Sequence, residues 1–226
     1  MNNIYWNEQL IRKYDMQGPR YTSYPTAVEF TSQFPVDKVS QAALLSQREN
    51  RPLSLYFHIP FCARLCYYCA CNKIVTKRRE KAQPYLDLLY REMTMQADMF
   101  GKQRQVEQLH WGGGTPTFLS PAQMRELMAR TRDLFQLRDD DLGDYSIEID
   151  PREADDEILS TLRDIGFNRI SLGVQDFNTE VQKAVNRIQS EELTLSVLAK
   201  ARSLGFRSIN IDLIYGLPHQ TAATFS

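Results

Sequence analysis

The feature that most constrains the fold is a regular alternation of strand-like and helix-like stretches from residue 52 onwards. Five short apolar runs indicate strands, and helix-like stretches separate them. This alternation predicts an α/β protein with a parallel sheet and right-handed crossovers. The predicted strands are 53–59, 106–111, 145–149, 168–174 and 208–214, and the predicted helices are 37–49, 81–99, 121–135, 153–165, 178–185 and 190–204.

The sheet is expected to form part of a βα barrel, TIM-like in type, rather than an open dinucleotide-binding sheet. An open sheet of that kind would carry Gly-x-Gly-x-x-Gly directly after its first strand, and this sequence does not. We therefore predict five βα units of a part-barrel over 51–226, preceded by an N-terminal arm or lid over 1–50. Because the sequence stops where the next helix should begin, we expect it to be the first part of a longer protein, with the remainder of the barrel missing.

All four cysteines of the chain lie within ten positions, at Cys62, Cys66, Cys69 and Cys71. The sequence has no apolar leader and no run of 18 or more apolar residues, which predicts a cytoplasmic protein with reduced thiols. Clustered reduced thiols indicate a metal site, and an iron–sulfur cluster of four irons normally takes four thiolates. If three bind, one iron stays open for chemistry. Structural zinc is the alternative, although it generally uses two separated pairs of ligands.

Charge excludes one class of function. The chain carries 27 basic and 28 acidic side chains, so it lacks the bulk positive charge of a nucleic-acid-binding surface.

Glycine and polar residues follow the predicted strands at the ends where barrel active sites lie. The Gly-Gly-Gly-Thr-Pro run at 112–116 makes either a tight turn or, as we favour beside a metal loop, a close approach to a ligand. Glu148 either caps the next helix or binds an ammonium group or a ribose diol in the barrel mouth. The fourth and fifth strands bring Gln175, Asp176 and Asp212 to the same end.

Three further residues are ambiguous from the sequence alone. Tyr56 and His58 share one face of the first predicted strand, where each could also be an ordinary core residue. Arg187 follows Asn186 in a helical or loop segment, where an arginine is expected at the surface.

The Cys-x-x-x-Cys-x-x-Cys spacing from Cys62 to Cys69 resembles the signature of the radical S-adenosylmethionine superfamily. The resemblance implies that Cys62, Cys66 and Cys69 hold a 4Fe-4S cluster and that the methionine part of S-adenosylmethionine chelates the fourth iron. Cys71 then lies outside the ligand set, as a candidate catalytic residue. The 112–116 run resembles the glycine motif that meets the cofactor's amino group.

Within that superfamily the chain resembles the oxygen-independent coproporphyrinogen III oxidases of bacterial haem synthesis. The segments that carry this resemblance are 19–25, 58–62, 69–71, 173–177 and 210–218. They span essentially the whole chain and imply a protein about twice as long. A related haem-chaperone branch typically lacks both the arm around Tyr21 and Tyr24 and the cysteine that matches Cys71.

The resemblance implies oxidative decarboxylation of two propionates of coproporphyrinogen III to vinyl groups, which gives protoporphyrinogen IX. The oxidant is a 5′-deoxyadenosyl radical made from S-adenosylmethionine at the cluster. A cytosolic one-electron donor and an electron acceptor are the implied partners, without nucleic acid or membrane, and a monomer is expected. The alternative is a haem-binding chaperone without decarboxylase activity.

The same resemblance assigns roles to individual residues. It implies that Tyr56, Tyr68, Gly113 and Glu148 contact the S-adenosylmethionine bound to the cluster. Tyr56 is also a candidate catalytic residue. A second S-adenosylmethionine would contact Gly114, Thr115, Gln175, Arg187 and Asp212.

Overall fold

A parallel sheet organises the computed structural model, which describes residues 6–16 and 26–225. The strands in chain order are β1 (Leu53–Ile59), β2 (Phe61–Cys62), β3 (Ile74–Val75), β4 (Gln105–Gly113), β5 (Gln136–Leu137), β6 (Asp144–Ile149), β7 (Arg169–Gln175) and β8 (Ser208–Leu213). The helices are α1 (Glu8–Tyr14), α2 (Val36–Arg48), α3 (Ala82–Phe100), α4 (Pro121–Leu134), α5 (Asp156–Asp164), α6 (Thr179–Ala184), α7 (Glu191–Ser203) and α8 (Ala222–Phe225).

The order of the strands identifies the architecture. β1, β4, β6, β7 and β8 lie side by side in chain order, every neighbouring pair is parallel, and the short β5 pairs with the start of β4. In a dinucleotide-binding sheet the order reverses at a switch point, whereas in a βα barrel it runs on around the sheet. The predicted α/β part-barrel is therefore confirmed, with β1 and β8 at the two edges of the described sheet.

The two faces of the sheet differ in polarity. In β6 and β7 buried and more exposed residues alternate along the strand, as expected where successive side chains point to opposite faces. The apolar face packs under the helices around Trp111, whose ring meets that of Phe167 edge-on with centroids 4.8 Å apart. The opposite face carries polar side chains and lines a cavity of about 410 Å³. A polar inner face leaves room for chemistry inside the curved sheet.

Local sequence signals set the starts of two helices. α4 begins as predicted after Ser120, which caps it in a reciprocal capping box with Gln123. α5 begins at Asp156 and not at residue 153, because residues 151–153 form a separate 3-10 turn. Asp155 then caps α5 by accepting from the Ile158 amide at 2.8 Å.

The cysteine loop contains a small sheet that the sequence did not predict. β2 and β3 pair in parallel, and the Thr76 amide donates to the Cys62 carbonyl at 2.9 Å. The Ile74 amide likewise donates to the Pro60 carbonyl at 2.7 Å. These bonds return the loop to the end of β1, so the chain on both sides of the cysteines is fixed.

The chain divides into two compact units, Met1–Gln41 and Ala42–Ser226. In the first unit, the side chain of Asn7 caps α1. The expected boundary at residue 50 and the lid function of the arm stay predictions, and Tyr21 and Tyr24 lie outside the described residues. None of the helices in the described part of the chain has both the length and the apolar character needed to cross a bilayer.

Candidate active site

The carboxyl ends of the strands surround a cavity of about 160 Å³ that borders the polar inner face of the sheet. Loops and strand ends that follow one another along the chain each contribute lining residues, as the barrel architecture requires. Most of the site residues predicted from the sequence lie here: Cys66, Tyr68, Cys69, Cys71, Gly113, Gly114, Glu148, Gln175, Arg187 and Asp212. Cys62, Thr115 and Tyr56 lie outside this lining.

The thiols differ in burial along the loop. Cys62 and Cys66 are buried, Cys69 is partly buried, and Cys71 is exposed. Burial raises the pKa of the Cys62 thiol, and the nearby Cys69 and Cys66 thiols raise it further. The Thr115 hydroxyl donates to Cys62 Sγ at 3.6 Å and acts in the opposite direction. The Cys62, Cys66 and Cys69 thiols thus lie close enough to influence one another, and the exposed Cys71 thiol lies beside Cys69.

A buried group of side chains, which we call the arginine wall, consists of Asp150, Arg152, Arg187 and Cys66. All of these except Arg152 line the cavity. Asp150 accepts from Arg152 Nη2 at 2.7 Å and from Arg187 Nη1 at 3.0 Å. Both arginines also contact Cys66 Sγ, Arg187 at 3.5 Å and Arg152 at 3.7 Å. Burial alone would raise the pKa of Asp150, but its hydrogen bonds from Arg152 and the charge of Arg187 hold that pKa below its ordinary value. Asp150, Arg152 and Arg187 therefore form a buried ionic group with a net positive charge beside the Cys66 sulfur.

A second group of side chains, which we call the histidine wall, consists of Tyr56, His58, His110 and Glu148. Of these, Glu148 lines the cavity. His58 Nε2 lies 2.9 Å from the Asn72 carbonyl, which can only accept, so this nitrogen carries the proton. The Tyr56 hydroxyl then donates to His58 Nδ1 at 3.0 Å. The Tyr56 ring stacks on His110 with centroids 5.7 Å apart.

Glu148 is oriented by two donors on this wall. The Gly113 amide donates to Glu148 Oε2 at 3.1 Å, and His110 Nε2 lies 3.4 Å from Glu148 Oε1. His110 Nδ1 in turn lies 2.7 Å from the Ser146 hydroxyl. Partial burial would raise the pKa of Glu148, yet these donors hold it below its ordinary value, so the group is an anion at neutral pH. The Glu148 side chain keeps 48 % of its surface exposed, so it can still meet a ligand.

The glycine run is required by neighbouring protein atoms. A Cβ on Gly113, where φ is +111°, would lie 2.6 Å from the His58 ring. A Cβ on Gly114 would lie 2.7 Å from the backbone carbonyls of Pro60 and Phe61. Close packing against protein atoms thus accounts for both glycines, and their contact with a cofactor stays a prediction.

The end of β7 is irregular beside the arginine wall. Gln175 has a φ of +71°, a conformation that is strained for a residue with a side chain, and the register between β7 and β8 shifts at this point. The Gly173 carbonyl accepts from Arg187 Nη2. Asp212 of β8 accepts from the Ser171 hydroxyl at 2.8 Å.

The structure overturns two of the simpler sequence interpretations. Arg187 is 6 % exposed and is not a surface residue. Glu148 does not cap the following helix, because Asp150 and Asp155 supply the caps there.

Two functional candidates were missed by sequence reasoning. His110 could have been found, because alternation along its strand places it opposite the buried Leu109 and Trp111. Arg152 lies in a turn, where no sequence signal distinguishes it from a surface arginine.

The residues fit an iron–sulfur cluster in their donor chemistry. Thiolate ligands of such clusters accept hydrogen bonds, and Cys62 and Cys66 both face N–H or O–H donors. Arg187 Nε is buried and, within residues 6–16 and 26–225, finds no acceptor, which leaves a donor for a bound group. In the same part of the chain no group of three His, Cys, Asp or Glu side chains is close enough together to bind a single metal ion. A cluster is larger than an ion, and its ligands stand correspondingly further apart.

Residues 56–226 match the family model of the radical SAM superfamily. The chain belongs to this superfamily. As a radical SAM protein it takes a 4Fe-4S cluster and S-adenosylmethionine, and the superfamily's part-barrel is the fold described above.

Among similar radical SAM proteins, the oxygen-independent coproporphyrinogen III oxidase of Pseudomonas aeruginosa is 57 % identical over 100 % of this chain and 49 % of its own length. The oxidase of Escherichia coli is 53 % identical over 100 % of this chain and 48 % of its own length. A solved structure of the Escherichia coli coproporphyrinogen III oxidase, described as a radical SAM enzyme, superposes with a TM-score of 0.86 at 52 % identity, covering 98 % of this chain and 48 % of that one. The chain thus spans about half the length of these relatives.

Proposed function

We propose that this chain carries the cluster-binding and cofactor-binding part of an oxygen-independent coproporphyrinogen III oxidase. The reaction is the oxidative decarboxylation of two propionate side chains of coproporphyrinogen III to vinyl groups, which gives protoporphyrinogen IX. The observation that carries the proposal is the cavity at the strand ends, where most of the predicted cofactor residues meet Cys66 and Cys69. The chain is 57 % and 53 % identical, over its entire length, to two oxygen-independent coproporphyrinogen III oxidases, which supports the same substrate.

In this proposal Cys62, Cys66 and Cys69 hold the cluster, and Cys71 stays outside the ligand set on the exposed side of the loop. When bound, the cluster and S-adenosylmethionine supply a carbon radical that removes a hydrogen atom from the propionate β-carbon. The protein's contribution is positioning and the exclusion of water and oxygen.

The histidine wall orients the cofactor. Glu148 presents an anionic carboxylate for a positively charged or hydroxyl-bearing part of S-adenosylmethionine, and His110 and the Gly113 amide fix its two oxygens. Tyr56 of β1 and Tyr68 of the cysteine loop offer aromatic surfaces. Burial raises the pKa of Tyr68 well above its ordinary value, so its hydroxyl stays neutral.

A second S-adenosylmethionine would meet Gly114, Thr115, Gln175, Arg187 and Asp212. Four of these residues line the cavity, and Thr115 lies beside it against Cys62. Arg187 Nε, which has no acceptor among the described residues, supports a ligand acceptor at this position. The proposal further includes a one-electron donor, an electron acceptor and a monomeric cytoplasmic protein that binds neither nucleic acid nor membrane.

Turnover by the full-length protein tests the proposal. Anaerobically reconstituted protein is mixed with coproporphyrinogen III, S-adenosylmethionine and a reductant, and the products are separated by chromatography. We expect vinyl-bearing porphyrinogen, carbon dioxide, methionine and 5′-deoxyadenosine. Haem binding without any vinyl product would reject the oxidase in favour of the haem-chaperone alternative.

A further inference from the structure

The arginine wall distributes hydrogen-bond donors unevenly among the three ligand thiols. Cys66 Sγ receives two charged donors, Arg187 Nη1 at 3.5 Å and Arg152 Nη2 at 3.7 Å. Cys62 Sγ receives one neutral donor, the Thr115 hydroxyl at 3.6 Å. Among the described residues, Lys73 reaches the backbone carbonyl of Cys69, and the Cys69 sulfur faces the neutral thiol of Cys71 and no cation. Cys66 is therefore the thiol that the protein has placed against positive charge.

Asp150 fixes the two guanidinium groups in this arrangement. It accepts from Arg152 Nε at 3.0 Å and from Arg152 Nη2 at 2.7 Å, a bidentate pair, and from Arg187 Nη1 at 3.0 Å. The Gly173 carbonyl takes the other end of Arg187. Bidentate pairing holds an arginine in one orientation, which a lysine does not reproduce.

Burial strengthens the effect of the two arginine charges on the Cys66 sulfur. The side chains of Arg152 and Arg187 are 7 % exposed and that of Asp150 is 10 % exposed. Charges interact more strongly away from water, and one carboxylate cannot neutralise two guanidinium groups. A net positive charge therefore remains next to the Cys66 sulfur.

Positive charge and hydrogen bonds at a ligand sulfur favour the more negative, reduced state of an iron–sulfur cluster and so raise its reduction potential. We propose that Arg152, oriented by Asp150 and acting together with Arg187, raises the reduction potential of the cluster through the Cys66 thiolate. The couple is the one-electron reduction of the cluster, with the electron supplied by the one-electron donor. The inference rests on the cluster of the proposed function. It makes Arg152 a positioning residue that sets how readily the cluster accepts its electron.

The test is a potentiometric titration of the full-length, anaerobically reconstituted protein, with the reduced cluster followed by electron paramagnetic resonance. The variants are Arg152→Gln, which removes the charge, and Arg152→Lys, which keeps it. The matched control is Arg163→Gln, which removes an arginine from an ion pair with Asp141 elsewhere in the fold. Absorbance and iron content establish separately whether each protein carries the cluster.

For Arg152→Gln we expect the equilibrium constant for cluster reduction to fall about tenfold, which is a potential about 59 mV lower for a one-electron couple. The reduction potential of the Arg152→Lys variant should fall less, and that of the Arg163→Gln variant should equal the potential of the parent protein. If the glutamine variant fails to assemble a cluster, the lysine variant decides the question. A lysine variant that assembles a cluster with a lowered potential supports the inference.

A potential for Arg152→Gln equal to that of the Arg163→Gln control would overturn the inference while leaving the proposed function intact. Failure of both Arg152 variants to assemble a cluster would also overturn it, because the arginine would then serve assembly. A parent protein without any iron–sulfur cluster would instead reject the proposed function itself.

Discussion

The arginine wall and the histidine wall perform their roles by different physical means. The arginine wall is buried and ionic, and Asp150 and the Gly173 carbonyl take up the terminal nitrogens of its arginines. The histidine wall is half-exposed and joined by neutral hydrogen bonds and ring stacking, with one carboxylate at its end. The first wall is fixed before any ligand arrives, whereas the second keeps accessible groups that a ligand can meet.

This difference indicates a division of labour in the site. Buried ion pairs are costly to form and costly to break, so they suit groups that must not move. Exposed hydrogen bonds are individually weak, so they suit groups that exchange protein partners for ligand partners. We therefore expect changes in the arginine wall to affect the cluster and the stability of the fold, and changes in the histidine wall to affect cofactor affinity.

The largest expected effect lies at the clustered thiols. Cys62→Ser should abolish the 4Fe-4S absorption and resonance signals, because a three-thiolate site cannot spare a ligand. Its matched partner is Cys71→Ser, which should retain the cluster and lose turnover. Iron content, absorbance and product formation are measured for both proteins. Loss of the cluster in Cys71→Ser would make Cys71 a ligand, and a parent protein with one zinc and no iron would end the radical interpretation.

The next effect tests whether the arginine wall is truly a fixed ionic group. Asp150→Asn leaves two buried guanidinium groups without their carboxylate and should lower the free energy of unfolding by about 3 kcal/mol. The control Asp164→Asn removes an exposed partner of Arg125 and should cost less than about 1 kcal/mol. Urea denaturation measures both. Equal, small losses would show that the two ion pairs are equivalent.

The same aspartate predicts a pH dependence. Its pKa is lower in the folded than in the unfolded chain, so its contribution to stability is present above the unfolded pKa and is lost as the pH falls through the folded pKa. Asp150→Asn should therefore show a smaller loss of stability in acid than the parent protein, and an unchanged acid profile would contradict the pairing.

The smallest expected effect concerns the histidine wall. Glu148→Gln removes the negative charge but keeps the shape, and should weaken S-adenosylmethionine binding about ten- to a hundredfold, since a hydrogen bond to a charged group contributes about 1.5–3 kcal/mol. Isothermal titration of the cluster-loaded protein measures the affinity. Glu126→Gln on the outer helix α4 is the control and should bind like the parent protein. An unchanged affinity in Glu148→Gln would remove this carboxylate from the cofactor site.

Much of this arrangement could be predicted because it depends on local pattern. The start of α4 follows from Ser120 and Pro121, which satisfy the first amides of any helix whatever surrounds it. The alternation of Ser146, Ile147 and Glu148 fixes which side chains face the cavity, because successive residues of a strand point to opposite faces. The cysteine spacing likewise depends on a short stretch of chain.

What could not be predicted depends on contacts between distant segments. Arg187 was expected at the surface, yet it lies against Cys66, which is 121 residues earlier in the chain. Arg152 lies 86 residues from the same sulfur. No local sequence pattern predicts contacts between residues so far apart in the chain. They form because the sheet brings the ends of β1, β6 and β7 to one edge.

The sequence by itself determined the five long strands, the existence of the helices between them and the three-cysteine spacing, since each follows from residues that are neighbours in the chain. Only the tertiary structure decided that one thiol faces two arginines and that a histidine orients Glu148. The physical reason is that hydrogen bonds and burial depend on position in space, and parallel strands place residues far apart in the chain within a few ångströms of each other.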